Sequence, residues 1–497
     1  MASDFSCRSR TPAFFAIVLI FCSAGLLACS IYRAITYSFT HDESLTFAIF
    51  TWEPVWRANI NNHLLNTWAV ECWSMLLGNS EPVLRLHTLA AHGIYLASGL
   101  ALLKRLRHPV LQLSGFVLLN LNPFMLDFFF LARGYGMALG FEMAGLYLLV
   151  RALEEIEGRG FEKALLLSAA SGVLAVLSNY AFLNFYLPLL LAIGGLLWYK
   201  RARIRPDRSS LVAALILVAT NGLFLTVILL RLFRLRKHGE LCLGGQTGFV
   251  ADTVHTSVEA SLYGVAYPGW LGNWITGVLA GLFGVAAILA FSRLFMRKKD
   301  PLFYLFIFML VGAVALPVLQ HRIFRVLYPV ERAGLYYIPL YMLTLLFAFN
   351  AIAPAIARGW RIIPGLVIPA VVAVMMALHF CISFSVATCY LWAYDAHSRD
   401  AIEAIARDHG TNGHVVILND WKLEPSLNFY RVTRHCTWMA PVTRRKQGRA
   451  DYLYLLADEI KNIPPGSCTV LAVYPDSQTA LFRTSCKKMP PPSQVHQ

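Results

Sequence analysis

Long apolar stretches separated by short polar or basic connections set the first expectation for this chain. They fall near residues 12–35, 82–103, 109–127, 131–152, 164–179, 181–199, 210–230, 271–292, 301–319, 334–352 and 363–389. A helix needs roughly 20 apolar residues to cross a hydrocarbon core of about 30 Å. The pattern therefore predicts a polytopic membrane protein with about eleven transmembrane helices. Between the first two stretches the pattern changes. Leu45, Ile49, Trp52, Val55 and Trp56 recur at helical spacing, and the segment from His63 to Leu77 repeats the pattern. Both read as amphipathic helices lying in the membrane interface, where Trp side chains favour the headgroup level. Beyond residue 390 the character shifts again. HVVILND, ADYLYLL and CTVLAVY read as short buried strands, and SRDAIEAIARDHG as an amphipathic helix. The terminal KKMPPPSQVHQ reads as disordered. The expected architecture is an all-α membrane portion over 1–390, with a first outer loop at 36–81, and a small α/β domain on the outer face over 391–497.

The connections supply the orientation. Lys104-Arg105-Leu106-Arg107, the run KRARIRPDR at 200–208 and Arg297-Lys298-Lys299 are short and basic, as cytoplasmic loops tend to be. The N-terminus is then cytoplasmic, and an odd number of spans leaves the C-terminal domain on the outer side. The apolar run after Arg10 has the flavour of a signal peptide. No small-residue cleavage site follows convincingly, however, and the run is long enough to span, so a retained first helix is expected.

Composition agrees with a lipid-solvated chain. Of 497 residues, 57% are hydrophobic and only 14% charged, against about a quarter charged in soluble domains. The net charge of +15 is no sign of nucleic-acid binding, because many of the basic residues sit in short loops that fix orientation. The ten cysteines form no CxxC pair and no Cys/His metal spacing. Cys22, Cys29, Cys72, Cys381 and Cys389 read as small buried hydrophobes. Cys436, Cys468 and Cys486 leave a disulfide in the tail open without naming its partners.

Three groups of residues carry candidate chemistry. The first is His41-Asp42-Glu43, just after the first span. Adjacent carboxylates at a membrane boundary are functional suspects. The plainer reading makes Asp42 the cap of the next helix, with Glu43 in its first turn. The two are compatible, since a capped helix start is a rigid mount for a base. The second group is Arg133, Arg322, Arg325 and Arg332, with His321 close by, all on the side that should be poor in basic residues. Arginine there needs an anion, and a phosphate or pyrophosphate matches its bidentate fork. Internal pairing, Arg332 with Glu331 or Arg133 with Asp127, is the competing account. The third is Asn61-Asn62-His63 with Asn66, which open an apolar helix. Amides suit sugar hydroxyls, and His63 suits acid/base work or phosphate binding, although interfacial polar residues at a helix entry explain them equally well. Arg85, near Glu81, is a weaker candidate. Arg231, Arg234, Arg236 and Lys237 read as contacts to anionic headgroups.

With these residues in hand, the chain resembles the membrane glycosyltransferases of the GT-C superfamily, the group with protein O-mannosyltransferases and lipid A aminoarabinose transferases. The resemblance spans about 1–390 and rests on HDES, NNHLLN, ARGYG and ERAGLYYIP in that order. It implies a polyprenyl-phosphate sugar donor, Asp42 as catalytic base, Glu43 orienting donor or acceptor, and Arg133 and Arg332 as a phosphate clamp. Asn62, His63, Arg85, His321 and Arg322 complete the implied substrate-binding set. The family often has His-Pro-Pro where this chain has His63-Leu64-Leu65, and Arg-Tyr where it has Arg332-Ala333. Those departures bear on the sugar and on the acceptor, which is a glycan, lipid or protein. The carboxylates leave room for a divalent metal, but the sequence offers no dependable ligand set. No P-loop or Rossmann fingerprint is present, in keeping with a sugar that arrives already activated. The expected location is a bacterial inner (plasma) membrane, with the C-terminal domain periplasmic. Competing classes are a lipid-linked saccharide transporter or flippase, a polysaccharide polymerase or ligase, and a membrane scaffold. A transporter would be expected to show internal repeats and midplane charges. A polymerase or ligase would place its large outer loop late in the chain.

Overall fold

The computed structural model describes residues 13–54, 59, 61–203, 208–241, 243–352, 362–410, 413–444, 450–461, 463 and 466–484. Val55 and Trp56, residues 204–207 of the basic run, Cys486 and the terminal KKMPPPSQVHQ lie outside them. The membrane portion opens with α1 (Ala13–Thr36), then two helices of the first loop, α2 (His41–Ala48) and α3 (Leu64–Leu77). Next come α4 (Glu81–Leu84), α5 (Leu86–Leu103), α6 (Pro109–Asn120), α7 (Pro123–Asp127), α8 (Gly134–Glu154), α9 (Phe161–Ser178), α10 (Leu183–Arg203) and α11 (Arg208–Lys237). The remainder is α12 (His255–Ser261), α13 (Trp270–Phe295), α14 (Pro301–Phe324), α15 (Tyr337–Ile352) and α16 (Ile362–Ser383). Among the described residues, nine helices are long and apolar enough to cross a membrane, and α6 and α15 are shorter apolar helices. This is an integral membrane protein. Large apolar side chains point outward from the spans, such as Phe21 at 79% exposure and Ile288 at 72%, a pattern that lipid rather than water accommodates.

Two expected spans are broken. The 82–103 stretch divides at Arg85, whose backbone N–H closes a tight turn on the Pro82 carbonyl before α5 begins. The 109–127 stretch divides at Leu121-Asn122, where Pro123 supplies no backbone donor to continue α6, and the Asn122 side chain caps α7 by accepting from the Met125 N–H. In the first loop, α2 ends at Ala48, so the apolar repeat through Trp52 is not one continuous helix. Of the cysteines expected to be buried, only Cys389 is; Cys29 is partly buried, and Cys22, Cys72 and Cys381 are exposed on α1, α3 and α16. Cys436 and Cys468 form no disulfide among the described residues.

The tail forms a mixed four-stranded sheet with β1 (Ile417–Asn419), β2 (Tyr452–Leu456), β3 (Cys468–Tyr474) and β4 (Thr479–Thr484), in the order β1-β2-β4-β3. β1 and β2 run parallel, and both remaining pairings are antiparallel. Three helices accompany it, α17 (Ser398–His409), α18 (Glu424–Thr433) and the short α19 (Ala457–Ile460). β4 and α18 were not evident in the sequence pattern. The tail is not a separate body hung on the membrane portion. Leu427, Phe429 and Tyr430 of α18 share one core with Phe39 and Phe47 of the first loop, and the Phe39 and Phe429 rings stack at 4.1 Å. α2 is therefore clamped between the helix ends and the tail.

Candidate active site

Thr40 precedes α2, and Glu43 reaches back from the first turn to accept hydrogen bonds from the Thr40 backbone N–H at 2.9 Å and hydroxyl at 3.0 Å. Thr40, not Asp42, is the cap, because the T-x-x-E spacing lets a glutamate at the third helical position close the first turn. Glu43 also accepts from Arg85 at 2.8 and 2.6 Å and from the Ala132 N–H at 2.6 Å. Arg85 spends its remaining donors on the carbonyls of Ala34, Tyr37 and Ser38. Both side chains are completely buried. The pair thus joins the end of α1, the start of α2 and the strand-like entry to α8, and neither member faces an open site.

Asp42, one residue earlier, is turned the other way. Its carboxylate lies 3.0 Å from Arg332 and 3.4 Å from Arg133. Arg133 is nearly sealed, donating to the Asp42 carbonyl at 3.2 Å and the Thr46 hydroxyl at 3.1 Å. Arg332 is about a quarter exposed and rests on the faces of Trp392 and Tyr135. Burial raises the Asp42 carboxyl, but Arg133 and Arg332 outweigh it and hold it at about 2. Arg133 also donates to His63 Nε2 at 3.2 Å. Burial, then the charges of Arg133 and Arg332, push the His63 imidazole well below its ordinary value, so it is neutral at pH 7, and its buried Nδ1 has no partner among the described residues.

Glycine lets these groups converge. A Cβ on Gly134 would sit 1.8 Å from the Ser178 carbonyl and 2.9 Å from His63 Cβ, and one on Gly136 would sit 2.2 Å from the Phe128 carbonyl. The ARGYG glycines thus bring the start of α8, and with it Arg133, against its neighbours. Asn66 holds the same segment, donating to the Ala132 carbonyl at 2.9 Å while its own carbonyl oxygen lies 2.8 Å from His87 Nε2.

The remaining candidates lie elsewhere or serve local bonds. Asn62 accepts from the Thr67 hydroxyl at 2.8 Å, and the Asn61 N–H donates to the side chain of Asn59. His321, in the last turn of α14, stacks on Tyr328 at 4.4 Å and bonds to the Val326 carbonyl just beyond the helix. Arg322 and Arg325 are exposed at the end of α14. The internal pairings weighed from sequence are replaced: Asp127 pairs at 2.8 Å with Arg33, near the end of α1, and Arg332 pairs with Asp42 rather than Glu331. Arg33 and Asp395 escaped sequence reasoning. Arg33 carried a signal, a cation in the last turn of an apolar helix. No group of three His, Cys, Asp or Glu among the described residues could hold a metal ion, and the positive neighbours of Asp42 do not suit a cation.

No protein-family model matches the chain, and no curated protein does. Solved structures do. ArnT from Cupriavidus metallidurans in the apo state overlays with a TM-score of 0.51 at 11% identity, covering 95% of this chain and 98% of that one. ArnT from the same organism bound to undecaprenyl phosphate overlays with a TM-score of 0.44 at 12% identity, covering 97% and 100%. The overlay with the apo form shows that the chain has an ArnT-like fold.

Proposed function

We propose that the chain is an inverting glycosyltransferase that moves a sugar from a polyprenyl-phosphate donor to an acceptor hydroxyl at the outer face of the membrane. The ArnT-like fold points to a polyprenyl-phosphate sugar transferase at the level of architecture. The observation that carries the finer reading is the charge count around Asp42. One carboxylate faces two arginines while His63 is neutral, so the cluster keeps a surplus positive charge. Exposed Glu331 beside Arg332 offsets part of it from solvent. A lipid phosphate supplies the missing negative charge in the geometry that guanidinium groups favour.

Asp42 is the general base. It takes the acceptor proton as the hydroxyl oxygen attacks the anomeric carbon. The bond from that carbon to the phosphate oxygen breaks, its electron pair leaves with the lipid phosphate, and the anomeric centre inverts. Arg133 and Arg332 stabilise the leaving charge in surroundings that partly exclude water. With both arginines turned on it alone, Asp42 is held at about 2, where it is a poor base. Phosphate binding neutralises the same arginines and thereby raises the basicity of Asp42 once the donor is seated. Glu43 and Arg85 hold the α2 mount. His63 holds Arg133 in orientation through Nε2.

The test is sugar transfer from a radiolabelled polyprenyl-phosphate sugar pool in membranes, comparing the intact chain with Asp42→Asn at matched expression. Loss of transfer in the variant is the expected result. Equal transfer by both refutes the assigned base. Absence of transfer by the intact chain, in membranes where a transferase of known activity does transfer, refutes the transferase reading.

A further inference from the structure

We infer that Asp395 is a positioning residue for Asp42, so that the tail forms part of the machinery that aims the base; this rests on the transferase reading above. α2 has only eight residues, too few to hold a helical turn by themselves. Its first backbone N–H groups also have no partner within the helix. The His41 N–H, immediately before Asp42, donates to Asp395 Oδ2 at 2.6 Å across a separation of 354 residues. Asp395 is completely buried, and its other oxygen accepts from Ser426 at 2.6 Å and Ser398 at 3.3 Å.

Neighbouring contacts hold the same strand of chain. The His41 ring lies 2.6 Å from the Lys422 carbonyl, which only accepts, so Nδ1 carries the proton. Trp421 meets that ring edge-on at 5.8 Å. The Phe39 N–H donates to the Tyr430 hydroxyl at 2.7 Å, and the Ser38 hydroxyl donates to the Ala396 carbonyl at 2.7 Å. Glu43 anchors α2 on the membrane side, and Asp395 anchors it on the tail side. Asp42 projects from between them with its carboxylate against the arginines. Catalytic groups tolerate roughly 0.5 Å of misplacement, and about 1 Å can cost on the order of a hundredfold in rate.

Two substitutions separate loss of the acidic group from loss of the anchor. In Asp395→Asn the amide oxygen still accepts from the His41 N–H. The amide NH2 donates to Ser426, whose hydroxyl turns to the Leu423 carbonyl 3.0 Å away. In Asp395→Ala the anchor is gone. The experiment uses the full chain in detergent or nanodiscs, with steady-state sugar transfer and hydrogen exchange by mass spectrometry. Expected for Asp395→Ala is a kcat roughly 10- to 100-fold lower with the donor KM within about twofold. Peptides covering α2 exchange faster while β2 and β4 are unchanged. Asp395→Asn restores kcat to within about threefold of the parent. On the residual transfer left by Asp42→Asn, Asp395→Ala adds less than about twofold, because both act through one group. Should Asp395→Ala alter exchange in β2 or β4, Asp395→Glu, which displaces His41 instead of releasing it, carries the same comparison. Unchanged kcat in Asp395→Ala, or an undiminished effect in the Asp42→Asn background, overturns the positioning role alone. Failure of the intact chain to transfer any sugar overturns the transferase reading, and this inference with it.

Discussion

Removing either member of the Glu43–Arg85 pair is expected to cost far more than a surface ion pair, and removing both is not expected to help. Glu43→Ala leaves a guanidinium fully buried with no counter-charge, a defect worth about 3–5 kcal/mol. Against a total stability of roughly 5–15 kcal/mol, that lowers the melting midpoint by on the order of 10 °C. Replacing a buried pair by apolar side chains of similar size is often neutral or stabilising. Here the geometry argues otherwise. Arg85 satisfies the carbonyls of Ala34, Tyr37 and Ser38, and Glu43 satisfies the N–H groups of Thr40 and Ala132. A Glu43→Leu, Arg85→Met double variant abandons all of these backbone groups at about 1–3 kcal/mol each. The double variant should therefore melt no higher than the singles. The assay is the midpoint for loss of the monodisperse peak on fluorescence-detected size exclusion after heating, for parent, both singles and the double. Recovery of the double to within a few degrees of the parent would refute the backbone-capping argument and leave a simple ion pair.

Three further outcomes follow from the geometry. Arg332→Lys keeps the charge but loses the fork, so the donor KM should rise about tenfold with a smaller change in kcat; an unchanged KM in transfer kinetics removes Arg332 from the clamp. Gly134→Ala places a methyl 1.8 Å from the Ser178 carbonyl and should cost about 1–3 kcal/mol through overpacking, together with most of the transfer activity as Arg133 shifts; a melting midpoint equal to the parent's contradicts the close approach. Burial raises the Asp395 carboxyl to about 8, above the roughly 3.9 of an unfolded aspartate. A raised value means that the stability linked to its proton is complete below about pH 4 and is lost as pH rises through about 8. The midpoint of Asp395→Asn should fall less steeply than the parent's between pH 5 and 9, and parallel curves would exclude that linkage.

Much of the fold was legible because lipid leaves a strong mark on sequence. Long apolar runs specify spans whatever their partners, and the broken ones are broken by backbone chemistry at Pro82-to-Arg85 and Asn122-Pro123 that hydropathy averages away. The candidate site was legible for a related reason. Asp42, His63, Arg133 and Arg332 are polar groups beside apolar segments, where each is costly enough to be noticed singly. Their partners were not legible. Arg33 meets Asp127 from a different helix, and Asp395 meets His41 from the far end of the chain. No local period records such separations. α18 escaped notice because its role is to fill the groove beside α2 with Phe429 and Tyr430, a demand set by the packed neighbours rather than by its own pattern.

Asp42 and Glu43 make the division concrete. They are adjacent, chemically alike and carried by one short helix, and only the family resemblance, with Asp42 as base and Glu43 orienting a substrate, set them apart in the sequence. One helical step turns Glu43 into the interior, where every lone pair that matters is taken by a backbone group or by Arg85. The same step leaves Asp42 14% exposed between two arginines that hold more positive charge than it can neutralise. A sealed, fully bonded carboxylate resists exchange of partners, because each substitution uncovers a buried donor. A carboxylate in a charge-surplus cluster exchanges readily, because an incoming anion improves the balance. Rigid attachment of Glu43 and loose electrostatic tenancy of Asp42 are therefore complementary: the first fixes where α2 lies, and in the proposed reaction the second would let a phosphate take the arginines and free Asp42 to accept a proton.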